Sequence, residues 1–173
     1  MDPQTARRLP LTDKKRIIRA LEVYLETGET ITEHDERTRK VPPKYAPLWF
    51  GLDFQDRQTL YDRINLRVER MMEKGLVEEV KELLSAGVPA SATSMQAIGY
   101  KEIVGMLACG GSIEEAAAQI QQASRRYAKR QLTWFRRNPN MHWMIREKGD
   151  DLGLVAESVR QIVKENDKSH MVG

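Results

Sequence analysis

A single cysteine, Cys109, in 173 residues excludes an internal disulfide and fits a reducing cytoplasm, where it reads as a small helix-packing residue. Aromatic residues are scarce at 6%, and glycine and proline together number 18, too few for a collagen-like or low-complexity chain. No apolar run is long enough to span a bilayer; the stretch Val41–Leu52 is broken by Lys44 and three prolines. The start, Met1-Asp2-Pro3-Gln4, lacks the basic-then-apolar order of a secretory signal. Catalytic signatures are equally sparse. His34, His142 and His170 stand far apart with no Cys or carboxylate at ligand spacing, so no metal site is expected. There is no nucleophile elbow, no Cys–His pair, and no glycine opens a GxxxxGK[S/T] phosphate loop.

What is present is a helical composition, 40% apolar and 31% charged, with its positive charge concentrated. Residues 122–148 carry eight basic side chains against Glu147 alone, although the whole chain is only +3. Such a patch suits a phosphate-rich partner, or a solvated helix face.

Periodicity predicts a mainly α fold with a few short strands. A first helix is expected from about Asp13 to Thr27, stopped by Gly28. The charged stretch Glu33–Lys44 reads as a linker or exposed loop, dividing the chain into residues 1–44 and 45–173. Leu48–Phe54 reads as a buried strand. From Asp56 to Ser85 a helix broken at Gly75 lines up Leu60, Ile64, Val68, Met71 and Met72. At about 100° per residue, Arg63, Arg67 and Arg70 fall beside that stripe, either reaching into a cleft or pairing with Asp62, Glu69 and Glu73. A further helix is expected through Gln96–Leu107, with Gly99 inside it. Ser112 and Glu115 form a capping box that opens a long helix reaching about Arg137. Met141–Ile145 reads as a second strand and Leu154–Val163 as a closing helix.

The long helix carries the sharpest local pattern. Arg125, Arg126, Lys129, Arg130, Arg136 and Arg137 share one face with Thr133, and Trp134 lies at its border. Cations at one-turn spacing follow a phosphate backbone, and an adjacent aromatic stacks on an unpaired base. Composition and spacing alone lead no further than a helical protein with a basic nucleic-acid face.

Several ordered blocks nevertheless resemble the tRNA dimethylallyltransferase (tRNA isopentenyltransferase) family. They are Arg16–Tyr24 with Thr27-Gly28, Leu60–Asn65 with Arg67-Val68, and Met72 with Gly75–Val80, then Gln96–Glu102 and Arg125–Arg136. The family's phosphate-binding loop, its Asp-Ser substrate segment and its Gly-Gly-Thr-Gly stretch are missing, so the chain resembles a C-terminal portion. The resemblance implies the C-terminal part of a P-loop-type α/β core (residues 45–173) joined to the end of a helical, tRNA-gripping insertion domain within residues 1–44. It implies transfer of a dimethylallyl group from dimethylallyl diphosphate to N6 of the adenosine beside the anticodon, with Mg2+. By the same resemblance Arg67 neutralises the leaving diphosphate, with Arg63 second. Lys15, Arg16, Ile17, Ile18 and Arg19 would contact the tRNA anticodon stem-loop. So would Gln96, Ala97, Ile98, Gly99, Tyr100 and Lys101, and the run Lys129, Arg130, Gln131, Leu132, Thr133, Trp134, Phe135 and Arg136. A fragment is expected to lack transferase activity alone and to self-associate through its exposed strand. The other reading is a non-catalytic RNA-binding or adaptor protein using helix 113–137.

Overall fold

Asp, Thr and Ser caps start most of the helices. The computed structural model describes residues 1–42, 44–147, 149 and 151–170, without the side chains of 168–170. The chain forms two compact units, Met1–Pro47 and Leu48–Gly173.

The first unit holds three helices, α1 (Pro3–Arg8), α2 (Lys14–Thr27) and α3 (Ile31–Lys40). Helix α2 follows its sequence signals, with Asp13 as N-cap and Gly28 in the left-handed region at its end. Helix α3 corrects the expected loop over Glu33–Lys44. Its residues bury no face, as their composition requires, but Thr30 and Glu33 close a capping box that starts the helix locally. Helix α1 was not expected, because six residues give no measurable periodicity. Asp2 makes it: its carboxylate accepts from the Thr5 amide at 3.0 Å, and from the Thr32 hydroxyl at 2.7 Å and the Thr32 amide at 3.2 Å. Among the described residues of this unit only Thr5 and Thr30 are buried. The apolar face of α2 (Ile17, Leu21, Tyr24) lines an open groove of about 280 Å³ with Leu9, Leu11 and Ile31.

The Asp2 contacts make a pH prediction. Partial burial pushes the carboxyl up, but the Thr32 hydroxyl and the Thr5 and Thr32 amides outweigh it and hold it well below the ordinary range. A depressed folded-state value means the stabilisation is complete above the ordinary carboxylate pKa and is lost as pH falls below it. The Thr5 and Thr32 amide NMR shifts should therefore stay native through pH 4 and move only in stronger acid. Asp2→Ala should release them at every pH and cost about 1 kcal/mol, as loss of an N-cap does. A midpoint near pH 4 would overturn the assignment.

The second unit contains α4 (Arg57–Glu73), α5 (Leu76–Ser85), α6 (Tyr100–Cys109), α7 (Ile113–Phe135) and α8 (Leu152–His170), with strands β1 (Trp49–Phe54) and β2 (Met141–Arg146). Its core joins Val68 of α4 with Leu76, Val77 and Val80 of α5, Ile103 of α6, and Ala116 and Ile120 of α7. Each fully buried branched side chain contributes about 1.5–3 kcal/mol. Gly75, at φ +92°, makes the break between α4 and α5 that the sequence signalled.

Gly99 is a correction. It does not lie inside a helix; a single 3-10 turn, Ser94–Gln96, ends before it, and Gly99 at φ +103° caps the start of α6. That conformation, not space, calls for glycine, since a Cβ there would meet Leu76 and Met71 at ordinary distances of 3.6 and 3.8 Å.

Strands β1 and β2 pair in parallel, Trp49 opposite Met141 through Phe54 opposite Arg146. Gly51 is required by space: a Cβ would come within 2.8 Å of the Trp143 ring. Leu52 and Ile145 are 59% and 51% exposed, unusual for parallel strands, which are ordinarily covered on both faces.

Candidate functional site

The stripe Arg63, Arg67, Arg70 and Lys74 recurs at one- or two-turn spacing along α4 and its C-cap, so all four cations reach the same side. They line a cleft of about 720 Å³ with Leu60, Ile64, Leu66 and Met71, and Phe54 at the end of β1. Among the described residues no carboxylate lines it. The alternative of arginines neutralised by Asp62, Glu69 and Glu73 is not what the structure contains. Asp62 accepts instead from the Gln58 amide at 2.8 Å, and among the described residues Arg67, Arg70 and Lys74 form no ion pair. Arg63 lies over the Phe54 ring, 5.3 Å from its centroid. An apolar floor under unneutralised guanidinium groups suits an anion with a hydrocarbon tail.

The second cationic surface is on α7. Arg126, Lys129, Arg130, Thr133, Trp134 and Arg137 line a shallow depression of about 540 Å³. Trp134 is 64% exposed, its ring edge-on to Phe135 with centroids 4.9 Å apart. Arg130 lies over Tyr127, which is also exposed rather than on the buried face.

Two of the six cations expected on this face are turned elsewhere. Arg125 donates to Asn65 of α4 at 2.6 Å. Arg136 donates to Asp53 of β1 at 2.8 Å, a carboxylate only 7% exposed. These two contacts tie α7 to α4 and to the sheet and so aim the remaining four cations outward. Leu132 and Phe135 are half-buried on the inner side of α7, while Gln131 is exposed.

The turn ahead of α6 is a third grouping. Gln96, Ala97, Ile98 and Lys101 are exposed, and Gly99 is buried. The Gln96 amide donates to the Ala90 carbonyl at 3.1 Å, and the Gly99 amide donates to the Glu102 carboxylate at 2.8 Å. Tyr100 donates its hydroxyl to Glu79 of α5, which pushes the phenol above its ordinary value.

The block Lys15–Arg19 lies in the first unit. Lys15, Arg16, Ile18 and Arg19 are exposed and Ile17 lines the apolar groove. Arg16 pairs with Asp13 at 2.7 Å and Arg19 with Glu22 at 3.4 Å, so neither cation is unneutralised.

Among the described residues no three His, Cys, Asp or Glu side chains come together where they could hold a metal ion. His142 stands against Phe50, ring centroids 5.5 Å apart. Sequence reading missed Phe54 and Asp53 as parts of these surfaces. Their only sequence signal was membership of a short apolar strand, and their roles depend on helices distant along the chain.

Fold and surfaces together define a mainly helical protein with a short parallel sheet and two cation-lined surfaces. The IPP transferase family model matches residues 1–138, and the chain belongs to that family. It is 44% identical to the tRNA dimethylallyltransferase of Acetivibrio thermocellus over 150 residues, 87% of this chain and 48% of that protein. With the tRNA dimethylallyltransferase of Carboxydothermus hydrogenoformans it shares 50% identity over 143 residues, 83% of this chain and 45% of that one. Among solved structures it is similar to a tRNA delta(2)-isopentenylpyrophosphate transferase from Staphylococcus epidermidis, with a TM-score of 0.66 at 35% identity. That match covers 96% of this chain and 53% of the other. A full-length tRNA isopentenylpyrophosphate transferase from Bacillus halodurans also matches at a TM-score of 0.66, with 37% identity, over 98% of this chain and 51% of that one. The chain thus spans about half the length of the relatives it matches. Among the described residues no helix is long and apolar enough to cross a membrane.

Proposed function

We propose that this chain is the portion of a tRNA dimethylallyltransferase that receives the leaving diphosphate and grips the RNA backbone, acting in the cytoplasm. In the reaction, N6 of an adenosine forms a bond to C1 of the dimethylallyl group. The C1–O bond to the diphosphate breaks, its electron pair leaves on the diphosphate, and the N6 proton passes to a base. Negative charge therefore gathers on the leaving group. Arg67, with Arg63 behind it, stabilises that charge from the α4 cleft, and Leu60, Ile64 and Met71 suit the five-carbon tail.

The observation that carries the proposal is the α4 cleft itself: four cations, an apolar floor and, among the described residues, no carboxylate in the lining. The α7 face, the Gln96–Lys101 turn and the Lys15–Arg19 block are its proposed contacts to a tRNA anticodon stem-loop. Residues 1–44 serve as the end of an RNA-gripping helical domain and 45–173 as part of the catalytic core. The family's Mg2+ finds no three-ligand cluster among the described residues. The open strands β1 and β2 are the proposed surface for self-association or for the polypeptide that bears the phosphate loop.

Calorimetric titration with inorganic pyrophosphate tests the cleft. Arg67→Ala should weaken binding about ten- to a hundredfold, the scale of a charge-assisted hydrogen bond. Equal affinity in the folded variant would overturn the diphosphate assignment and favour a non-catalytic RNA-binding protein.

A further inference from the structure

We infer that Phe54 is a positioning residue for the anion cleft, holding the Arg63 guanidinium against its ring so that Arg63 is aimed at a diphosphate before one arrives. The inference rests on the reading of the α4 cleft as a diphosphate site and names a residue that this reading does not supply.

Phe54 is the last residue of β1 and lines the cleft. Ligands of open parallel sheets meet the carboxyl ends of the strands, and Phe54 and its register partner Arg146 are those ends here. Two guanidinium groups lie over the one ring. Arg63 comes from α4 at 5.3 Å, and Arg146 comes from β2 at 5.5 Å. Arg146 is only 8% exposed, so its contact with the ring is part of the packed interior. The ring is thus fixed by its strand and by a buried neighbour, whereas Arg63 stands on an exposed helix position.

An exposed arginine samples many side-chain rotamers, and that freedom is lost when it binds an anion. A ring already in place removes part of that loss, because cation–π attraction holds the guanidinium within about 6 Å of the centroid. Among the described residues Arg67, one turn further along α4, lies over no aromatic ring. The pair therefore divides the work: Arg63 is pre-aimed, and Arg67 closes on the anion when it arrives.

The test is titration of the whole chain with inorganic pyrophosphate. Phe54→Leu should weaken binding about fivefold, in line with a partly exposed cation–π pair. Phe54→Tyr, which keeps the ring, should bind within twofold of the unaltered chain. Pentafluorophenylalanine at position 54 keeps the shape and reverses the ring's electrostatics. It should reproduce the loss, and it serves if the leucine variant fails to fold. In an Arg63→Ala background, Phe54→Leu should have no further effect. The ring-current shift of the Arg63 Nε–H signal should vanish with the leucine variant.

Unchanged affinity in both the leucine and the fluorinated variants, or a full loss persisting without Arg63, would overturn the inference while leaving the cleft intact. If the unaltered chain does not bind pyrophosphate, or binds it no better than Arg67→Ala, the diphosphate reading falls and this inference with it.

Discussion

Raising salt from 50 to 500 mM should weaken binding of an anticodon stem-loop about a thousandfold. The face of Arg126, Lys129, Arg130 and Arg137 offers four outward cations, and each neutralised phosphate releases condensed counterion. Four phosphates give a log–log slope of about −3. Arg130→Ala should reduce that slope by about one and weaken all RNAs alike. Trp134→Ala should leave the slope unchanged and weaken single-stranded loops by about 1–3 kcal/mol, because stacking carries no counterion. Arg136→Ala serves as an internal contrast. Its guanidinium is committed to the buried Asp53, so its loss should lower thermal stability more than it lowers the salt slope. Salt-insensitive binding by folded protein would reduce the basic helix to a solvated face.

Mixing these 173 residues with tRNA and labelled dimethylallyl diphosphate should yield no prenylated adenosine. On the proposed reading the α4 cleft neutralises a leaving diphosphate, but the sequence contains no phosphate loop to cradle it. Among the described residues no carboxylate lines the cleft to take the N6 proton. Positioning and proton transfer are large parts of such a rate, about 7–11 kcal/mol and a hundred- to ten-thousandfold respectively, so their absence should put turnover below detection. A second polypeptide carrying the family's phosphate loop should restore transfer, docking against the exposed strands. Adding Arg67→Ala to the complemented pair should then lower activity again. Turnover by the chain alone would mean that these residues themselves supply a base and a diphosphate cradle.

The amino-acid sequence by itself determined the elements whose signals are local. Asp13 and Gly28 bound α2, Ser112 and Glu115 open α7, and Gly75 separates α4 from α5, because caps and left-handed turns depend on neighbours within four residues. Both strands were legible as short apolar runs. So was the stripe of Arg63, Arg67 and Arg70, since helical spacing alone places them together. Helix α3 buries nothing along its charge pattern, so periodicity does not show it; the Thr30–Glu33 capping box was its one local signal. Gly99 looked like a helix interior because its neighbours on both sides are helix formers; only its positive φ reveals the turn.

Tertiary structure alone decided which cations are available. A helical wheel places six on one face of α7. It cannot show that Asn65, sixty residues earlier, takes Arg125, or that Asp53, eighty-three residues earlier, takes Arg136. Nor can it show that Phe54, nine residues and one element away from Arg63, lies beneath its guanidinium. Charge and periodicity are properties of a segment, whereas the commitment of a charge is a property of what packs beside it, and that is set only when the chain closes on itself.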